Sequence, residues 1–517
     1  MRRKSRIRLA LAAAGCMVAF AAIAPGAQAS YFDTTYNGVC RNATNLHGIG
    51  ASGLRGAMVE WGNTLLDPSP AAPLQKGFGY DAGADYAACA AYKTAADGGT
   101  KTFDYRATGS GSCLDVLGAK AASDPRNYVD AAAATVNNVA YCGTEDAPTE
   151  QQIAWAEEGP PAHPSEAQLI TIPVAQVGVT ASVRLPDGCF VGQADRSISR
   201  QELNKAFQGT ITRWSDIFGT TIKAVAGSGL TDADCQGKQF QRVVRRDASG
   251  TTFLFKRYLH AAANDAADGD RFDWRQPSYG GTLENNAWPN DSGATAVVRG
   301  ASNGAGSQMD ALSGLGANGG IGYADLSTAR SKDYGWTYDG VSYDPNDTKV
   351  WLRVQRISND NYNSPGVANA QNVSGANSAS ACLNVTYTGA PSADLGQAWD
   401  NATAVLTPTD YSICGLNFVV TSRWGFDTEA SRYRKVWEGS DQGEFRAVRD
   451  YLRYVTGIIK PGTGPGHLPP AGYSKLPADL QATAQCASKL IGWNRAGSDG
   501  QPTDPVPRDP GNNDPNC

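Results

Sequence analysis

Along the chain, short apolar runs alternate with stretches whose apolar positions recur every three or four residues. Residues 169–183 (LITIPVAQVGVTASV) are apolar at most positions, the pattern of a strand buried on both faces, and Pro173 predicts a break within it. Residues 241–244 and 416–421 predict shorter strands. Helices are predicted over 54–61, 200–208, 251–263 and 444–454. This alternation predicts an α/β fold with largely parallel sheets. Three loops rich in Gly, Asn, Asp and Ser, at 67–83, 278–293 and 359–381, are long enough to be surface insertions on a smaller core. Residues 497–517 form a Pro/Asp/Asn-rich tail with nothing to bury, and no internal repeat is visible.

The first 29 residues stand apart from this pattern. Arg2, Arg3, Lys4, Arg6 and Arg8 precede an apolar stretch, and Ala27-Gln28-Ala29 is a small-residue cleavage pattern, so a secretory signal peptide is expected. A weaker lipoprotein-like box, Ala13-Ala14-Gly15-Cys16, is set aside because apolar sequence continues beyond Cys16 and a Leu three positions earlier is missing. Removing residues 1–29 takes five bases and no acid from 45 Lys+Arg and 50 Asp+Glu, moving the net charge from −5 to −10. That balance argues against a nucleic-acid partner. No later stretch approaches the ~18 apolar residues needed to span a bilayer, so an exported, non-integral protein is expected, at the cell surface, in the periplasm or released. The 517 residues leave room for two or three packed lobes.

Cleavage after Ala29 leaves ten cysteines: Cys40, Cys89, Cys113, Cys142, Cys189, Cys235, Cys382, Cys414, Cys486 and Cys517. An even number in an exported chain, without Cys-x-x-Cys or a Cys/His cluster, predicts structural disulfides, whose pairing the spacing leaves open.

Four Ser/Gly-rich segments lie where strands should give way to helices, at residues 47–53, 105–112, 143–148 and 243–253. In the last, Val243-Val244 leads into Arg245-Arg246-Asp247, and Ser249-Gly250-Thr251 opens a helix. Free N–H groups at a helix start attract an anion, small residues let it approach, hydroxyls donate, and Arg adds charge-assisted bonds. Each segment alone could be an ordinary helix cap or turn, but four together predict an oxyanion site.

In these segments the chain resembles the phosphate-binding protein of the phosphate ABC transporter, a two-lobed, type II periplasmic-type solute-binding protein. Residues 48–53 resemble the family's GAGAT/S-F loop, 109–112 its GSG/SG loop, 143–148 its G-x-x-DAP turn, and 245–251 its R-x-D-G-SGT loop. Residues 208–214 (QGTITRW), 319–326 (GGIGYADL) and 472–477 (GYSKLP) follow in the family's order, so the likeness spans about 46–490 with insertions. It implies an α/β periplasmic-binding-protein-like fold with two hinge crossings, near residues 172 and 412, and a ligand cleft between the lobes. Lobe I would hold 30–172 and 413–496, and lobe II 173–412. The implied ligand is inorganic phosphate, with donors at Ser52, Gly53, Ser110, Arg245, Ser249, Gly250 and Thr251. Asp247 would hold the Arg245 guanidinium, and Asp146 would be the buried carboxylate that accepts a proton-bearing phosphate oxygen and repels sulfate. No cofactor or metal is implied. A monomer would deliver phosphate to an ABC permease with a separate ATPase subunit, consistent with the lack of any Gly-Lys-Ser/Thr phosphate loop. Three positions depart from the family: Gly53 replaces Phe, Ala248 replaces Gly, and Arg246 adds a second cation.

Two other functions compete. Gly300-Ala301-Ser302-Asn303-Gly304 fits a Gly-x-Ser-x-Gly elbow, and His467 is the only one of four histidines that follows it, so a serine hydrolase would rest on Ser302 and His467. With 58 glycines such a match arises easily, and a binding protein without catalysis is the stronger expectation. A surface protein using the same fold for phosphate sensing, scavenging or adhesion is the other alternative, suggested by the insertions and the tail.

Overall fold

The computed structural model describes residues 45–62, 102–116, 139–157, 169–264 and, in segments, 272–494. The segments expected to be signal peptide and terminal tail, the loop at 67–83 and much of the loop at 359–381 lie outside the described residues.

Strand β1 (Asn45–Gly50) runs parallel to β2 (Thr102–Ala107) on one side and β3 (Val139–Thr144) on the other. Gly50 stands opposite both Ala107 and Gly143, so three carboxyl ends align and their loops leave from one edge. In open α/β sheets that edge is where ligands bind. Each loop turns into a helical element: a 3-10 turn (Ser52–Leu54) leading into α1 (Arg55–Gly62), α2 (Ser110–Val116), and the turn carrying Glu145.

The predicted apolar strand is β4 (Leu169–Arg184), buried at every residue except the last. It is continuous through Pro173, contrary to the expected break. Pro173 pairs with Phe418, and the partner strand shifts register between Asn417 and Phe418. A proline has no N–H for the ladder, and an irregularity in the opposite strand accommodates it.

Three further strands, β5 (Gln241–Val244), β6 (Val298–Arg299) and β7 (Gly320–Asp325), are mutually parallel in the order β7-β5-β6. Residues 169–178 of β4 pair with β9 (Cys414–Ser422), which also joins β3, whereas residues 179–184 pair with β7 and with β8 (Lys349–Gln355). All of these pairings except those of β7-β5-β6 and β2-β1-β3 are antiparallel, so the sheet is mixed rather than largely parallel. The result is two parallel half-sheets joined through β4 and β9, a two-lobed α/β fold.

Predicted helices take shape where caps are strong. Helix α3 (Arg200–Gln208) starts with a Ser199/Glu202 capping box and stops at Gly209 in the left-handed region (φ 76°). Helix α4 (Gly250–Ala263) is capped by Ser249, whose Oγ accepts from the Thr252 N–H. Beyond β6 come α5 (Ala305–Ser313) and α6 (Leu326–Ser331). Buried Trp61, Trp214, Trp274 and Trp399 fill the core, and Phe255 of α4 stacks on Tyr323 of β7 at 4.5 Å.

Disulfides join Cys113 to Cys142, Cys189 to Cys235 and Cys382 to Cys414, and Cys486 is also disulfide-bonded. Such bridges persist in oxidising compartments. The first ties α2 to β3, the two elements that carry Ser110 and the Glu145 turn. No helix among the described residues is long and apolar enough to cross a membrane.

Candidate functional site

The Arg245 loop is the centre of the site. Arg245 follows β5 directly, is 1% exposed, and grips Asp247 with both edges of its fork: Nε donates to Oδ1 at 2.9 Å and Nη2 to Oδ2. Its Nη1 donates to Ser249 Oγ at 2.6 Å. The Arg245 N–H donates to the Tyr323 hydroxyl at 3.4 Å, and that hydroxyl is 2.6 Å from Thr252 Oγ1. A guanidinium fixed in this way is pre-organised to present its charge to a planar or tetrahedral anion.

Across the cleft lie the loops of β1, β2 and β3. The Gly250 N–H donates to Ser110 Oγ at 3.0 Å, and the Ala305 N–H at the start of α5 donates to Ser52 Oγ at 3.0 Å. The Gly304 N–H reaches Asp247 Oδ1 at 3.1 Å. A side chain at Gly250 would lie 2.7 Å from Glu145 Cβ and 2.8 Å from Ser110 Oγ, so only glycine lets the halves meet there. Ser52, Gly53, Ser110, Arg245, Ser249, Gly250 and Thr251 are thus brought to one place, with Asp247 behind the arginine.

The carboxylate among these donors is Glu145, not Asp146. Thr251 Oγ1 lies 3.1 Å from both Glu145 oxygens, and Ser110 Oγ donates to Oε2 at 3.4 Å. Asp146, the expected buried acceptor, is only half-buried; its backbone is held by Thr144 Oγ1, and its charge acts on Arg257. Successive residues of a turn face different ways, and the more buried Glu145 takes the interior position. Gly53 makes the space: a Cβ there would stand 1.8 Å from Glu145 Oε1. The glycine at position 53 therefore admits the Glu145 side chain among these donors.

Glu145 is 3% exposed, and burial pushes its pKa up to about 7. Asp325 pushes the same way, while Arg245 and the Thr251 and Ser110 hydroxyls pull it down. Asp325, fully buried at the end of β7, is itself raised by burial, and it caps α6 by accepting from the Thr328 N–H at 2.8 Å. The sequence pointed to neither carboxylate. Glu145 had a visible signal, since it adjoins Asp146 in the same turn, but Asp325 had none, because only the fold brings β7 beside β5.

These strand-end loops meeting across a cleft are the arrangement of a solute-binding protein, and the model for the PBP superfamily domain matches residues 80–394. The chain belongs to the PBP superfamily. Among solved structures it is similar to a DING protein (TM-score 0.51, 20% identity, covering 85% of this chain and 93% of that one). It is also similar to a human phosphate-binding apolipoprotein (0.50, 19%, 86% and 96%) and to an ancestral soluble variant of the human phosphate-binding protein (0.51, 17%, 87% and 99%). At these identities the likeness establishes the fold. A comparison with curated protein sequences finds no match.

Within the superfamily fold the Gly-x-Ser-x-Gly match is an ordinary loop. Ser302 is exposed, its N–H donates to Ser307 Oγ at 2.9 Å, and α5 begins only at Ala305. His467 lies outside the described residues.

Proposed function

We propose that the chain is an exported solute-binding protein that captures inorganic phosphate between its two halves and delivers it unchanged to an ABC permease with its own ATPase subunit. The observation that carries this is the seat itself. Thr251 Oγ1 and Ser110 Oγ already hold a carboxylate, so these buried donors are directed at anionic oxygens, and the fixed Arg245 guanidinium lies beside them. Phosphate would take the position of the Glu145 oxygens, with Ser52, Gly53, Ser249 and Gly250 completing the shell. The phosphate-binding proteins that share the fold support the choice of ligand.

Two features follow from the chemistry. An ionised carboxylate beside a bound oxyanion is repulsive unless one proton lies between them. Once ionised, above about pH 7, Glu145 can accept that proton from a protonated phosphate oxygen, whereas sulfate has none to share. Closure would turn on β4 and β9, where β4 changes partners between Gly178 and Val179 and Cys414 faces Gly178. The lobe assignment of 30–172 with 413–496, against 173–412, the signal peptide over 1–29 and a monomeric state belong to the same proposal.

The test is calorimetric titration of the mature chain with phosphate and with sulfate at about pH 8, where Glu145 is largely ionised. Micromolar or tighter phosphate binding with no heat from sulfate is expected. Heat from neither anion would remove phosphate capture; equal heats from both would remove the proton-sharing role of Glu145.

A further inference from the structure

Beside the anion seat, and sharing Ser52 with it, is a cavity of about 1000 Å³ whose wall also includes Thr108 and Gly304. A single tetrahedral anion needs far less room, and this volume is at the upper end of the roughly 300–1,000 Å³ typical of small-molecule sites. The seat and the cavity share parts. Ser52 Oγ, on the wall, accepts from Ala305, and Gly304, also on the wall, donates to the Asp247 carboxylate that holds Arg245.

The chemistry of the wall is polar and cationic. Arg55, Arg299 and Lys332 line it, against a single acid, Asp310. Lys332 pairs with Asp310 at 2.7 Å, and Arg299 pairs at 2.8 Å with Asp291, which is not part of the wall. Arg55 is exposed at the start of α1 and has no ion-pair partner among the described residues. Thr108 Oγ1 is buried and lacks a hydrogen-bond partner among them. Ser302, exposed in the loop that mimics a nucleophile elbow, adds a hydroxyl to the same wall.

We propose that this cavity is a second subsite, and that the protein also binds phosphates carrying an anionic extension, with inorganic pyrophosphate as the simplest member of the class. The terminal phosphoryl group occupies the seat beside Arg245, and the second group enters the cavity towards Arg55 and Lys332. An uncharged extension, as in glycerol phosphate, finds hydroxyls there but leaves the cations unanswered, so it binds more weakly. The inference rests on phosphate capture at the seat.

The test is titration of the mature chain with orthophosphate, pyrophosphate and glycerol phosphate, repeated on Arg55→Ala/Lys332→Ala. Pyrophosphate is expected to bind and to compete with orthophosphate. The double variant should weaken pyrophosphate roughly tenfold, the loss expected for charge-assisted hydrogen bonds, and change orthophosphate less than about twofold. The unchanged orthophosphate affinity also shows that the variant is folded. If orthophosphate binds and pyrophosphate does not, or if pyrophosphate affinity survives the double substitution, the subsite is overturned while phosphate capture stands. If none of the three binds, both fall.

Discussion

Arg245→Ala is expected to abolish phosphate binding at micromolar ligand and to lower the melting temperature by several degrees. The guanidinium is 1% exposed and is held by Asp247 and Ser249, so its charge acts in a dry site. Removing one charge-assisted hydrogen bond to the anion costs about 1.5–3 kcal/mol, roughly ten- to a hundredfold in Kd. The fold suffers separately, because Asp247 is left buried without its counter-charge, and breaking a buried pair costs about 3–5 kcal/mol. The two effects can be separated. Arg245→Ala/Asp247→Ala removes both charges and should recover part of the lost melting temperature, yet bind phosphate no better than the single variant. Micromolar binding by Arg245→Ala would show that the anion sits elsewhere.

Glu145→Gln should change three measurements together. The raised pKa of Glu145, about 7 against an ordinary 4.5, means that the folded state holds this proton more tightly than the unfolded chain. Below pH 4.5 both states are protonated and there is no cost. As pH rises from 4.5 towards 7 the unfolded chain ionises first and stability falls, until above pH 7 the full penalty, about 3 kcal/mol, is present. Glutamine removes that penalty, so the variant should melt higher than wild type at about pH 8 and no higher at about pH 4. Phosphate affinity of the wild type should hold above about pH 7, because hydrogen phosphate keeps one proton for the ionised carboxylate to accept, and the variant, with a weaker amide acceptor, should bind phosphate less tightly. Because a glutamine amide can donate to a fully ionised oxygen, the variant should also admit sulfate. A variant with wild-type pH dependence and no sulfate binding would place the selective carboxylate elsewhere, with Asp146 the next to test.

Most of this architecture was legible where local chemistry and tertiary packing agree. Ser249 caps a helix wherever it is placed, so Gly250–Ala263 was visible to within one residue. The Arg-Arg-Asp run ending a strand marked the central loop, because Arg245 and Asp247, two residues apart, can meet through local geometry alone. What the sequence concealed depends on distant parts of the chain. Pro173 looked like a break within the strand, but the register shift at Asn417, far along the chain, lets β4 run through it. The identity of the seated carboxylate depends on which side chain of a two-residue acidic turn finds space, and that space comes from Gly53 on another strand-end loop. The cavity likewise joins loops of both halves and has no local signature.

The central claim is that phosphate occupies the seat now filled by the Glu145 carboxylate. A crystal structure of the mature chain with phosphate tests it most directly. The account predicts a tetrahedral anion within hydrogen-bond distance of Ser110 Oγ, Thr251 Oγ1 and the Arg245 guanidinium, with Glu145 displaced or sharing one proton with it. A phosphate bound away from Arg245, or a seat unchanged at millimolar phosphate with Glu145 still against Thr251, would contradict it.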